Sequence, residues 1–161
     1  WQNYGVKPDI MTTAKALGCG VPVGAFLMTE RVAQKSLAPG DHGTTYGGNP
    51  FVGAAVSKVF DLFEQMHLLD HVRKVSVYLE KKLDEIVETY DFLKQRRGMG
   101  LMQGIVTDIS SAEISAKALE AGLIVITAGI DVIRILPPLV ITEADVDEMA
   151  EKFTAVLDKF L

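Results

Sequence analysis

Long hydrophobic runs, paired cysteines and an excess of basic residues are all missing from this sequence. Although 48% of the residues are hydrophobic, no apolar run reaches the roughly 18 residues that a membrane-spanning helix needs, so we expect no membrane partner. The single cysteine, Cys19, excludes a disulfide within the chain and is typical of a reducing compartment, which predicts a cytoplasmic protein. The formal net charge of −5 argues against a nucleic-acid partner, because no basic stripe is available to neutralise phosphates.

Motifs for metal binding and for serine or cysteine hydrolysis are also missing. The histidines are scattered, and His67 and His71 have no acidic or cysteine support nearby, so no metal site is predicted. Neither a GxSxG motif nor a cysteine–histidine arrangement is present. The 161 residues are enough for one compact domain with a core. They start at Trp1 with a segment, WQNYGVKPDI, that resembles the interior of a protein, so we expect a part of a longer chain.

Apolar patterning in residues 1–60 is typical of the end of a larger α/β unit. Strands are predicted at residues 10–14 and 21–29, and helices at residues 30–37 and 51–65. The second strand is apolar on both faces, which predicts that it is covered on both sides. Asn49-Pro50 has the pattern of an N-cap followed by proline at the first helical position.

Residues 61–161 show a different pattern, that of a small α+β domain. Helices are predicted at residues 70–90 and 111–121 and after Thr142, and strands at residues 92–108, 123–127 and 131–138. The first of these strands is interrupted by Gly98 and Gly100, which predicts a bulge or a bend. Asp145 follows Thr142 at the spacing of a capping box.

Lys15 lies in the stretch TTAKALGCG, between a predicted strand and the turn that contains Gly18 and Gly20. An amine is nucleophilic only when it is neutral, a state that desolvation or a neighbouring cation favours. The two glycines would let the backbone approach a cofactor closely. On these local features two interpretations stay open, a lysine that forms a Schiff base and a solvated or ion-paired lysine.

Residues 38–50 form a long irregular loop that contains DHGTTYGGNP. The adjacent hydroxyls of Thr44 and Thr45, among glycines and before a helix start, can donate hydrogen bonds to a phosphate. The spacing of a Walker loop is missing. Anion binding and a purely structural loop both stay open, and His42 is either a base or a plain hydrogen-bonding residue.

Arg134 lies among apolar neighbours in the stretch VIRILPPL, within a predicted strand. Arginine is suited to hold a carboxylate in a two-point fork. The alternative is an arginine on an edge strand that faces water. The sequence around Arg134 does not decide between them.

These three features occur in one order, and the ordered set resembles the class III (ω-amino acid) aminotransferases, which use pyridoxal phosphate (PLP). The resemblance extends over nearly the whole chain. Its stretches are GVKPDIMTTAKALGCGVPVGAFL, HGTTYGGNP, RGMGLMQGI and VIRILPPLVIT. It implies the C-terminal part of a PLP-dependent transferase of fold type I. Residues 1–60 would be the tail of the large α/β domain with the start of a linking helix, and residues 61–161 the small C-terminal α+β domain.

The resemblance also implies roles for four residues. Lys15 matches the lysine that binds PLP covalently and then moves the proton between the substrate carbon and the cofactor. Thr45 matches the threonine that reaches across a homodimer interface to the cofactor phosphate of the partner subunit, and Thr44 matches a position near the substrate. Arg134 matches the arginine that holds the α-carboxylate of glutamate or 2-oxoglutarate.

The implied reaction is a ping-pong transamination between a small-molecule amino donor and 2-oxoglutarate. The sequence is most similar to bacterial members that act on N-acetylornithine in arginine biosynthesis. Ornithine, succinylornithine and 4-aminobutyrate stay open as alternative amino donors. The N-terminal part of the family supplies an aspartate for the pyridine nitrogen, a stacking aromatic ring and phosphate-binding backbone, so we expect this polypeptide alone to be inactive. A non-catalytic domain that assembles with partners and an unrelated carboxylate-binding protein that uses Arg134 also stay open.

Overall fold

The computed structural model describes all 161 residues, which divide into two compact units, Trp1–Met66 and His67–Leu161. No helix in either unit combines the length and the apolar character that a membrane crossing requires. The first unit contains strands β1 (Ile10–Thr13) and β2 (Ala25–Met28) and helices α1 (Glu30–Ser36) and α2 (Pro50–Gln65). The strands pair in antiparallel fashion and form a two-stranded sheet.

Strand β2 differs from its prediction in length and in burial. Only four residues of the predicted strand at residues 21–29 are extended and paired, and Phe26 and Leu27 are 43% and 51% exposed. The sheet of this unit has only two strands, so neither face is covered as in a larger α/β sheet. The prediction of a strand buried on both faces is therefore wrong for this chain.

Helix α2 begins where the sequence predicts. The Asn49 side chain accepts a hydrogen bond from the backbone N–H of Val52 at 3.0 Å, and Pro50 is the first helical residue. The apolar stripe of this helix is only half-buried, and Phe60 is 59% exposed. The helix is therefore fixed locally by its cap, and its apolar face is not part of a buried core.

The second unit packs three helices on one face of a four-stranded antiparallel sheet. Its elements are α3 (Leu68–Thr89), β3 (Leu93–Met99), β4 (Met102–Thr107), α4 (Ser111–Glu120), β5 (Ile126–Thr127), β6 (Val132–Ile135) and α5 (Glu143–Leu157). The strand order is β3-β4-β6-β5. The core includes Val75, Leu79, Leu83 and Ile86, which recur at helical spacing on α3. Ile105, Ile133 and Phe153 are also part of it and are fully buried. Thr142 and Asp145 form the predicted capping box of α5.

Strands β3 and β4 form a hairpin, which corrects the prediction of one interrupted strand at residues 92–108. Gly100 has a φ of +59° in the connection between Met99 and Met102, which face each other as the last pair. A left-handed residue suits a tight reversal of direction, and glycine adopts that conformation without steric cost. The interruption in the pattern therefore marks a chain reversal, whereas the register shift lies at the start of β3, between Leu93 and Gln95.

A polar network fastens this hairpin to α3. The Arg96 guanidinium donates to both carboxylate oxygens of Asp84, at 2.6 and 3.1 Å, and to Gln103 Oε1 at 3.0 Å. Gln103, only 1% exposed, donates to Glu80 at 3.2 Å and to the carbonyl of Gly100 at 2.7 Å. Because these contacts reach α3, Arg96 and Gln103 project from the helix-covered face of the sheet. Their neighbours along each strand project from the other face.

The end of α5 is held by Tyr90, whose side chain gives a testable pH dependence. Tyr90 is 2% exposed, and its hydroxyl donates to Asp158 at 2.6 Å. Burial and this bond to a carboxylate raise the pKa of Tyr90 to about 12. Tyr90 therefore stays protonated when the tyrosine of the unfolded chain ionises near pH ~10. The stabilisation is fully present below that pH and is lost as pH rises toward the folded value.

We expect the free energy of unfolding to fall by up to about 3 kcal/mol between about pH 10 and pH 12 because of Tyr90 alone. Tyr90→Phe removes this dependence, while Tyr4→Phe, at a 74% exposed position, keeps it. Urea unfolding of the three proteins at about pH 8 and about pH 11 provides the comparison. An equal loss in wild type and Tyr90→Phe would contradict the role of Tyr90.

Candidate active site

Lys15 begins a short 3₁₀ helix, Lys15–Gly18, directly after the strand β1 region. Its φ is +54°, in the left-handed region that L-residues other than glycine seldom adopt. The side chain is exposed, and its amine takes part in none of the ion pairs of the chain. Backbone strain of this kind clusters at functional sites, where it costs about 1–3 kcal/mol. The local structure therefore presents a free amine on a strained turn.

The turn after Lys15 closes over a glycine. Gly18 is buried, and a Cβ atom there would lie 2.7 Å from Cγ1 of Val23, so any larger residue would force the Val23 side chain to shift. The resulting cavity of about 500 Å³ is lined by Lys15, Ala16, Cys19, Gly20, Val21, Pro22 and Val23. Lys15 is its only charged lining residue. The absence of a side chain at Gly18 thus lets the turn fold back against Val23, beside the amine.

The glycine-rich loop forms a second cavity, of about 780 Å³, together with the two strands of the same unit. Its polar lining includes the side chains of Thr12, Thr13, His42 and Thr44. The His42 ring meets Phe26 edge-on, with centroids 5.3 Å apart and planes at 82°. This contact lies between the loop and β2. The cavity thus presents several hydroxyl groups and backbone groups of glycines to one volume.

The predicted site residues of the first unit are not gathered in one cavity. Thr44 lines the loop cavity, Lys15 lines the turn cavity, and Thr45 lines neither and is exposed. Thr12 and Thr13 were missed from the sequence, although their pairing with Phe26 and Ala25 on β2 brings them beside the loop. Thr12 and Thr13 lie three and two residues before Lys15, at the end of a strand, and this position could have indicated them from the sequence.

Arg134 lies on an inner strand of the second unit. Strand β6 has β4 on one side and β5 on the other, so the interpretation of Arg134 as an edge-strand residue is wrong. Its neighbours Ile133 and Ile135 are 0% and 4% exposed and belong to the core, so Arg134 projects from the face opposite to the helices. Its Nε is buried and has no hydrogen-bond partner. A buried donor without a partner costs about 1–3 kcal/mol, which an anionic ligand would offset.

These donors fit a phosphorylated aldehyde cofactor and an anionic substrate. The free amine of Lys15 can bind a carbonyl carbon covalently, and hydroxyls of the loop can donate to phosphate oxygens. The orphaned Nε of Arg134 fits a carboxylate, which accepts two parallel N–H bonds from a guanidinium. The chemistry of the residues thus agrees with the cofactor that the sequence resemblance implies.

Comparisons with known proteins give the same family. A family model, aminotransferase class-III, matches residues 1–157. The acetylornithine aminotransferase of Methanocaldococcus jannaschii is 41% identical over 149 residues, which cover 92% of this chain and 37% of that protein. The acetylornithine aminotransferase of Neisseria meningitidis serogroup B is 39% identical over 164 residues, which cover 99% of this chain and 41% of that protein.

The fold agrees as well. A solved structure of Plasmodium falciparum ornithine delta-aminotransferase superposes with a TM-score of 0.92 at 31% identity, over 99% of this chain and 41% of that chain. This likeness confirms the predicted fold class, part of a PLP-dependent transferase with α/β and α+β portions. The chain spans about two-fifths of the length of these relatives. Because the family model covers nearly all of its residues, the chain belongs to the class III aminotransferases.

Proposed function

We propose that these residues are the C-terminal part of a PLP-dependent aminotransferase that transfers the δ-amino group of N-acetylornithine to 2-oxoglutarate. The observation that carries the proposal is the free, strained Lys15, which lies in a chain about 40% identical to acetylornithine aminotransferases. Residues 1–60 would form the end of the large cofactor domain, and residues 61–161 the small domain. The enzyme would act in the cytoplasm, in arginine biosynthesis.

Class III aminotransferases are pyridoxal phosphate enzymes. When bound, pyridoxal phosphate supplies an electron sink for the bond that breaks at the substrate carbon. Lys15 would hold the cofactor through its Nζ atom. The neutral amine of Lys15 would then take the proton from the substrate carbon and deliver it to the cofactor, as a general acid–base group within reach of that carbon.

Thr45 and Thr44 would serve two different groups from one loop. The Thr45 hydroxyl is exposed, and we assign it to the cofactor phosphate of the partner subunit in a homodimer. Thr44 lines the loop cavity and is assigned to the substrate. On this assignment a hydroxyl of one protomer would lie at the cofactor of its partner, so each site would be complete only in the dimer.

Arg134 would bind the α-carboxylate of glutamate or 2-oxoglutarate. Its Nε is buried and unpartnered, and Arg134 projects from the face of the sheet opposite to the helices of its unit. A two-point contact with a carboxylate would satisfy this donor and orient the substrate. The same contact serves both the keto acid and its amino-acid product, since both carry the α-carboxylate.

The similarity to ornithine delta-aminotransferase of Plasmodium falciparum favours ornithine as the second candidate donor. The test uses the intact enzyme of which these 161 residues would be the C-terminal part. We expect kcat/KM to be at least about tenfold higher for N-acetylornithine than for ornithine, a difference of about 1.4 kcal/mol. The 161-residue chain alone should show no turnover. A preference for ornithine would contradict the proposed donor.

A further inference from the structure

One row of residues crosses the face of the four-stranded sheet that is opposite to the helices of this unit. In register, Arg97 faces Gly104, Gly104 faces Arg134, and Arg134 faces Ile126. Directly opposed residues of antiparallel strands project to the same side, with Cβ atoms about 5 Å apart. Gly104 therefore stands between two arginines and contributes no side chain of its own. The position opposite Arg134 on β4 therefore has no side chain.

Space, and not backbone conformation, accounts for glycine at position 104. Its φ is outside the left-handed region that eight other glycines of the chain occupy. Glycine in the interior of a strand weakens it, and often marks a close approach of another group. A Cβ atom on Gly104 would lie 3.1 Å from Cγ1 of Val132 and 3.9 Å from Cγ of Arg97. The side chains of Val132 and Arg97 therefore pack close to the backbone of Gly104.

Val132 links this space to Arg134. It precedes Arg134 by two residues on β6, so the two side chains share one face. Val132 is 3% exposed, so it has little room to move away from an added methyl group. The Nε of Arg134 has no hydrogen-bond partner, so no hydrogen bond from this atom would oppose a movement of the guanidinium. A methyl group on Gly104 would therefore press on Val132, the residue that precedes Arg134 by two on the same face of β6.

We propose that Gly104 is a positioning residue. Because it has no side chain, Val132 and Arg97 can pack over its backbone, and this packing holds the Arg134 guanidinium in the position that binds the substrate α-carboxylate. The proposal rests on the proposed role of Arg134 in binding that carboxylate. Gly104 acts through its neighbours and does not touch the substrate. It affects only the ligand that Arg134 holds, and it leaves the chemistry at Lys15 unchanged.

The test measures the variant Gly104→Ala in the full-length enzyme. Glutarate, a five-carbon dicarboxylate without a reactive group, is the probe for calorimetric binding, and we expect its Kd to rise about fivefold or more. KM for 2-oxoglutarate should rise to a similar extent, while kcat and the KM for N-acetylornithine change less than about twofold. A variant that merely loosened the fold would change both substrates together.

Two matched variants distinguish a steric effect at Gly104 from a general loss of stability. Gly53→Ala adds a methyl group on helix α2, where nothing lies within 4 Å, and should leave glutarate affinity unchanged. Val132→Ala removes the atom that the methyl group of Gly104→Ala would meet. The double variant should therefore regain the affinity of wild type to within about twofold.

Three outcomes distinguish this proposal from the proposed function. Unchanged glutarate affinity in Gly104→Ala, together with a loss in Arg134→Lys, would overturn the role of Gly104 and leave that of Arg134 standing. Unchanged affinity in Arg134→Lys would overturn the role of Arg134. If Gly104→Ala fails to fold or binds weakly, and Val132→Ala restores neither, the positioning role is also overturned.

Discussion

Replacing Lys15 by alanine should lower kcat of the full-length enzyme by about 10²- to 10⁴-fold, the usual contribution of a positioned acid–base group. The variant loses both the covalent attachment of the cofactor and the amine that moves the proton. The side chain is exposed and makes no ion pair, so its removal should leave stability nearly unchanged. Single-turnover kinetics with N-acetylornithine measure the chemical step directly.

Lys35→Ala is the matched control for Lys15→Ala. Lys35 lies exposed in the last turn of α1, outside the turn cavity and the loop cavity. We expect this variant to keep wild-type kcat. That result would show that the loss of one positive charge from the unit does not cause the lower kcat of Lys15→Ala. Retention of wild-type turnover in Lys15→Ala would refute the assignment of Lys15.

Replacing Arg134 by lysine should raise KM for 2-oxoglutarate by about 10- to 100-fold, because a point charge replaces a two-point contact. This range corresponds to about 1.4–2.8 kcal/mol, as expected for charge-assisted hydrogen bonds. The half-reaction in which N-acetylornithine donates its δ-amino group should change much less, because its reacting end carries no α-carboxylate. Initial rates at varied keto acid and at varied amine separate the two effects.

Arg73→Lys is the control for this charge-preserving change. Arg73 lies on α3 with its side chain 74% exposed, paired with Asp70 at 2.7 Å, and exposed pairs contribute little. Its KM for 2-oxoglutarate should equal that of wild type. An equal rise in KM for both substrates in Arg134→Lys would indicate a general structural effect and would count against carboxylate binding.

Local sequence signals predicted the helices well. The caps at Asn49 and at Thr142 with Asp145 depend on residues within one turn, and the structure contains both. The core stripe of α3 has the helical period over its length, and most of it is buried. Such features are readable because each depends on a few residues close together in sequence.

Features that depend on distant partners were harder to predict. The cover of β2 requires neighbouring strands and helices, and its apolar pattern does not show whether they are present. The β3–β4 hairpin depends on one left-handed residue, Gly100, which the pattern alone does not distinguish from a bulge. The row of Arg97, Gly104 and Arg134 depends on strand register, which no single stretch of sequence contains.

The identity of the lysine that holds the cofactor is the most direct test of this account. Borohydride reduction of the full-length enzyme loaded with pyridoxal phosphate makes the covalent link permanent, and peptide mass spectrometry then locates it. We predict that the added mass is found on Lys15, in the peptide that contains TTAKALGCG. The added mass on another lysine, with Lys15 unmodified, would contradict the account.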